Sequence, residues 1–204
     1  MRLGLLGPAE GDVQGLGRAA EFLLTTAKVS RAVYLGVDPS LDKAVAAWAR
    51  RLVGDDPSDD AAWKRAAEIA LTGTPGEIDH FVAIERARMR LKALETLPHG
   101  GRTIEMVGDR VAILIHDKAQ LDEEDILAAN LLVFGRSAEP LVKKIGTRWF
   151  VSPGQLGTKG GGIAILDDEE PEVVCTVYDG HGKQTARETL TVARATKIRV
   201  QGGA

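Results

Sequence analysis

Aromatic residues are scarce: four Phe, three Trp and two Tyr make up 4% of the 204 residues, so the core must be aliphatic. The single cysteine, Cys175, has no partner for an intrachain bridge, and its strand-like surroundings make core packing its expected role. No stretch approaches the roughly 20 consecutive apolar residues that a membrane-spanning helix requires. The opening Arg2-Leu3-Gly4-Leu5-Leu6 lacks a long apolar signal region, so a cytoplasmic protein without a membrane partner is the expectation. Charge of one sign is also missing. Lys and Arg total 26 against 29 Asp and Glu, a formal net charge of −3, and the two signs are interspersed. A nucleic-acid partner is therefore not expected.

What is present is an alternation of apolar strands and helical stripes. Residues 2–6 read as a short buried strand. Leu16, Ala20, Leu23, Leu24 and Ala27 fall on one helical face, and Ala32 to Leu35 form a second strand that stops at Gly36. Strand, helix, strand is a βαβ unit, which brings both strand-end loops to one sheet edge.

A helical middle follows. Leu41, Val45, Trp48, Ala49 and Leu52 share one face after Pro39-Ser40, and Trp63, Ala66, Ala67, Ala70 and Leu71 share another after Ser58. Thr74-Pro75-Gly76-Glu77 is a capping box with proline at the first helical position, predicting a long helix to about Leu97. The basic residues of that helix, Arg86, Arg88, Arg90 and Lys92, are mixed with Glu85 and Glu95 and read as a solvated face. Residues 102–106 alternate, Gly108-Asp109 makes a hairpin turn, and Val111 to Ile115 is a continuous buried strand running into His116-Asp117. A short helix, Glu123 to Asn130, leads to the apolar run ending at Phe134, which breaks at Gly135. A hairpin then ends at Ser152-Pro153-Gly154. Antiparallel strands are expected at Ile163 to Leu166 and Val173 to Tyr178, around an acidic turn at 167–170. Thr189 to Val192 and Ile198 to Val200 are expected as edge strands, with a fraying end at 202–204.

Two motifs have context against them. Gly15-Leu16-Gly17-Arg18-Ala19-Ala20 matches a dinucleotide fingerprint as a string but lies inside a helix pattern, not directly after a strand. The run from Gly154 to Gly162 contains Lys159 without phosphate-loop spacing.

The order of these strand ends resembles the calcineurin-like metallophosphoesterases, in particular their small bacterial phosphodiesterase branch. In that family an apolar strand enters Gly-His-Thr-His and a hairpin ends in Asn-Pro-Gly-Ser. This chain has Gly135-Arg136-Ser137-Ala138 and Ser152-Pro153-Gly154-Gln155. The family's opening Ser-Asp-x-His-Gly corresponds to a loop with Pro8, Glu10 and Gly11. Its Leu-Gly-Asp corresponds to Leu35-Gly36-Val37, with Asp38 one residue late, and its His-Gly to His116-Asp117. A Gly-Asn-His/Asp strand end is expected to be missing together with its strand. The likeness covers about residues 1–52 and 102–180. It implies a single α/β domain over 1–204, a four-layer α/β/β/α sandwich with a helical insert at about 57–97.

The family's chemistry uses two divalent ions to activate water and neutralise phosphate oxygens. Only His116 matches a ligand by type and position, and Arg136 puts a permanent positive charge where a ligand is expected. The resemblance thus implies a catalytically degenerate scaffold with a protein partner, similar in logic to the retromer subunit that uses this fold for protein contacts. Two alternatives stay open. One is a divergent phosphoesterase with an altered Mn²⁺ or Mg²⁺ site and His116 as candidate catalytic residue. The other is a metal-free sensor of a phosphate-containing or other anionic small molecule. The candidate ligand-binding residues are Arg136, Glu10, Asp38, His116 and Ser137, with an Arg136 ion pair to Asp38 or Glu10 expected. Ser137 with His116 as base is a weaker nucleophile arrangement, since no orienting acid is identifiable. The insert is the expected contact surface for a partner.

Overall fold

A computed structural model describes residues 1–169 and 172–191. The strands expected at 189–192 and 198–200, and the chain end, lie wholly or partly outside these residues. So do the last residue of the 167–170 turn and Pro171 after it.

The buried aliphatic strands assemble two mixed sheets. In the first, β1 (Arg2–Leu6), β2 (Arg31–Tyr34) and β3 (Leu94–Thr96) run parallel. β9 (Gly162–Glu169), β10 (Glu172–Asp179) and β11 (Gln184–Leu190) extend it antiparallel, in the order β11-β10-β9-β1-β2-β3. In the second, β5 (Arg110–Ile115), β6 (Leu131–Phe134) and β8 (Arg148–Ser152) run parallel. β4 (Arg102–Val107) and β7 (Leu141–Ile145) are antiparallel edges, giving β4-β5-β6-β8-β7.

Alternate residues of each sheet point inward and form one interior, including Leu3, Leu5, Val33, Leu114, Val133, Val151 and Cys175. The outer face of the first sheet is covered by α1 (Val13–Glu21), a π-helical turn at Phe22–Thr26, and α2 (Ser40–Val53). There Leu16, Leu23 and Leu41 meet Ala32, Tyr34 and Ile165. The short α5 (Glu123–Ala128) lies over the outer face of the second sheet, near a cluster of Ile113, Ala129 and Leu132. The result is a four-layer α/β/β/α sandwich.

The insert departs from the sequence expectation in four ways. α3 (Asp59–Thr72) starts at its Ser58 cap, yet no residue on it is buried; Trp63 is 76% and Leu71 85% exposed. α4 (Pro75–Arg90) keeps its capping box but ends at Arg90, not near Leu97. One 3₁₀ turn later the chain enters β3, so the strand expected to be absent is present, paired Ala32 to Leu94 and Tyr34 to Thr96. Nor is the basic side of α4 uniformly solvated. Arg88 is 7% exposed and bonds Glu85 at 2.6 Å and Asp59 at 2.9 Å, while Arg65 bonds the same Glu85 at 2.7 Å. Ions thus clamp α3 to α4 where apolar packing is thin. The helix expected to reach Asn130 ends at Ala128, and β11 begins earlier than 189.

Candidate functional site

All six parallel strands carry their C-terminal ends to one edge of the sandwich, where backbone groups and following side chains face open space. The ends of β1, β2, β5 and β6, with the loop after β8, surround a cavity of about 400 Å³. β1 supplies Pro8 and Glu10; β2 supplies Gly36, Val37 and Asp38; β5 supplies His116. β6 supplies Gly135 to Ala138, and Gln155 closes the rim. The five candidate residues Glu10, Asp38, His116, Arg136 and Ser137 therefore share one pocket.

Close backbone contacts draw the two sheets together here. A Cβ on Gly135 would collide with the carbonyl oxygen of Leu35, and one on Gly7 with that of Gly154. Only glycine permits both approaches. Leu156 N–H donates to the Pro8 carbonyl at 3.0 Å, and Arg136 N–H to the His116 carbonyl at 2.7 Å.

His116 Nδ1 lies 2.8 Å from the Leu35 carbonyl oxygen. A carbonyl only accepts, so Nδ1 carries the hydrogen and Nε2 is left as the acceptor of the neutral ring. Asp38 accepts from the Tyr34 hydroxyl at 2.7 Å and from Ser40 N–H at 2.9 Å. Partial burial pushes its carboxyl upward, but the Ser40 and Tyr34 bonds outweigh this and hold it below the usual carboxylate range. The Tyr34 hydroxyl also accepts from Ala9 N–H at 3.0 Å, and burial raises its pKa. This bridging tyrosine was not singled out from the sequence, although a buried tyrosine four residues before an aspartate at a strand end is the available signal. Glu10 sits at φ 44°, a left-handed conformation uncommon outside glycine.

Arg136 does not pair with Asp38 or Glu10. Its Nη1 donates to Asp117 Oδ2 at 2.6 Å, and the side chain is 73% exposed at the pocket mouth. Asp117 is held below the ordinary range by Ala119 N–H and then by Arg136. Ser137 Oγ donates to the Glu139 carbonyl at 2.6 Å, so its hydrogen bond is directed away from a nucleophile's partnership with His116. Asp179 lies outside the pocket and caps a turn, accepting from His181 and Lys183 N–H.

The donor set does not fit a pair of divalent cations. Among the described residues lining this pocket, Glu10, Asp38 and His116 are the only carboxylate or imidazole side chains. Among the described residues no three His, Cys, Asp or Glu side chains come together closely enough to hold an ion. Asp38 already has hydrogen-bond donors on both oxygens, and Arg136 adds a fixed cation at the mouth. Also among the described residues, no helix is long and apolar enough to cross a membrane.

No family model and no curated protein matches this sequence. Solved structures do match. The chain is similar to Yfce, a phosphoesterase from E. coli, with a TM-score of 0.56 and 14% identity, over 94% of this chain and 100% of that one. It is also similar to a conserved protein of Streptococcus pneumoniae TIGR4 with a phosphoesterase prediction, at TM-score 0.51 and 10% identity, over 93% and 97% of the two chains. At these identities the likeness is one of fold.

Proposed function

Starting from a chain that has the calcineurin-like metallophosphoesterase fold, we propose a protein-binding module that no longer hydrolyses phosphoesters. One observation carries this reading: the strand-end pocket lacks, among the described residues, a donor set for two metal ions. Hydrolysis by this fold needs a metal-generated hydroxide and cationic neutralisation of the phosphate. Here His116 and Asp38 are engaged by the protein itself, through the Leu35 carbonyl and through Tyr34 and Ser40. The exposed guanidinium of Arg136, anchored through Nη1 on Asp117, and the Glu10 carboxylate then stand at the pocket mouth to meet a partner, with Arg136 as the main cationic contact.

The test is metal content by elemental analysis together with turnover of bis-p-nitrophenyl phosphate in added Mn²⁺ or Mg²⁺. The expected result is no metal-dependent turnover above background. Robust hydrolysis that His116→Ala abolishes would establish the divergent-phosphoesterase alternative instead.

The exposure of Arg136 favours a second reading, a receptor for an anionic small molecule. Its guanidinium stands at the mouth with Nη1 on Asp117, and a fork of this kind binds phosphate or carboxylate in a bidentate manner. Thermal-shift measurements with nucleotides and inorganic phosphate separate the two readings. Stabilisation that Arg136→Ala removes supports the receptor; no shift with any of them leaves the protein contact.

A further inference from the structure

The outer face of α3 is built like a helix interface and left open. Trp63, Ala67, Ala70 and Leu71 recur at i, i+4, i+7 and i+8, a spacing that lines one side of a helix. All four are exposed, with the two large ones at the ends of the stripe and the two small ones between them. The opposite side of the helix faces α4, since Arg65 is tied there to Glu85. The sequence pattern therefore describes a buried stripe, and nothing in the described chain buries it.

We propose that this stripe is the contact for a second copy of the same chain, paired antiparallel across a two-fold axis. Charge selects that occupant. Lys64 and Glu68 are both exposed and follow the stripe along one flank. When two identical helices pack antiparallel, like flanks meet and run in opposite directions. Lys64 of one copy then faces Glu68 of the other, and the same pair forms again on the other side of the axis. The small Ala67 and Ala70 at the centre let the helices approach, and Trp63 of each copy covers Ala70 and Leu71 of the other. Antiparallel pairing also sets each helix's N-terminus beside its partner's C-terminus, the favourable arrangement of helix dipoles. A lipid surface suits the face poorly, because Asp59, Asp60 and Glu68 are acidic and lie on the same helix. This inference does not depend on whether the strand-end pocket is catalytic.

A contact made by one 14-residue helix per copy, about 21 Å long, is small for a permanent dimer. A reversible association in the range of about 1 µM to about 1 mM is expected. Sedimentation velocity on the full chain across that range tests it, with circular dichroism to show that each variant is folded. The wild type should shift from monomer to dimer with rising concentration. Trp63→Glu should weaken association by about thirtyfold or more, as loss of a large aromatic anchor does. Lys64→Glu alone should weaken it, and Lys64→Glu combined with Glu68→Lys should restore it, because the reversed pair is again complementary. A wild type that stays monomeric at about 1 mM, a dimer indifferent to Trp63→Glu, or a double variant no better than the single one would each overturn the proposal. Trp63 fluorescence that responds to phosphatidylcholine–phosphatidylglycerol vesicles, with no self-association, would overturn it in favour of a lipid surface.

Discussion

The imidazole of His116 donates from Nδ1 to the Leu35 carbonyl oxygen, 2.8 Å away, across the seam between the two sheets. Leu35 follows β2 in one sheet and His116 follows β5 in the other, so this bond ties together the walls of the pocket. The residue that best matches a metal ligand by position therefore also has a structural task.

His116→Ala should cost about 1 kcal/mol of stability, the net value of one neutral hydrogen bond, and leave the Leu35 carbonyl to water. Urea unfolding monitored by circular dichroism measures the change. An unaltered midpoint would show that the bond contributes nothing to holding the sheets.

Asp38 has a carboxyl held below its ordinary value, so its contribution to stability has a definite sign with pH. It is complete above the unfolded carboxyl pKa, about 3.9, and is lost as pH falls through the lower folded value. Thermal melts of wild type and Asp38→Asn should differ by a constant amount from pH 7 to pH 5. The two should converge below about pH 4. A gap that persists undiminished at pH 3 would contradict this assignment.

Arg31 joins three strands: it pairs with Glu95 on β3 and with Glu105 on β4, the latter at 2.6 Å. Glu105 is largely buried, so Arg31→Leu leaves its charge uncompensated at the junction of the sheets. A loss of about 2 kcal/mol is expected. This is less than the about 3–5 kcal/mol for fully buried pairs, because a third of the Arg31 side chain remains in water. Replacing Glu105 by Gln in the same chain should recover part of the loss, which a double-mutant cycle in urea resolves.

Cys175 lies in the interior between the sheets, and burial pushes its thiol up to about 12. Ellman's reagent at pH 8 should react only as fast as the chain opens, and adding denaturant should accelerate the reaction steeply. Prompt labelling of the native protein would mean that this part of the core is accessible.

The strand and helix patterns that build the frame were legible because each is long or regular enough to register. β1, β2 and the β4–β5 hairpin show apolar runs or alternation, and Ser58 and Thr74 announce the starts of α3 and α4. β3 was not legible, for a specific reason. Leu91 and Leu94 continue the helical spacing of α4, and no glycine or proline separates Arg90 from Leu94. Three residues are too few to display alternation. They become a strand because Ala32, Val33 and Tyr34 offer them a parallel edge. The α3 stripe was legible as a shared face, but spacing does not reveal whether anything covers that face.

At the pocket, the βαβ pattern was enough to put the loops carrying Glu10 and Asp38 at one sheet edge, while the family resemblance was needed to bring His116, Arg136 and Ser137, which follow strands of the other sheet, beside them. The partners of those side chains were a different matter. Arg136 bonds Asp117, not Asp38 or Glu10, and Asp38 is held by Tyr34 and Ser40. The chain's local chemistry thus determined where strands end and which charges stand there. Only the folded structure decided which charges touch, through the pairing of β5 with β6 that sets Asp117 beside Arg136 and the turn after β2 that folds Asp38 back onto Tyr34. The reason is that hydrogen bonds form over about 3 Å, a scale that sequence separation does not encode.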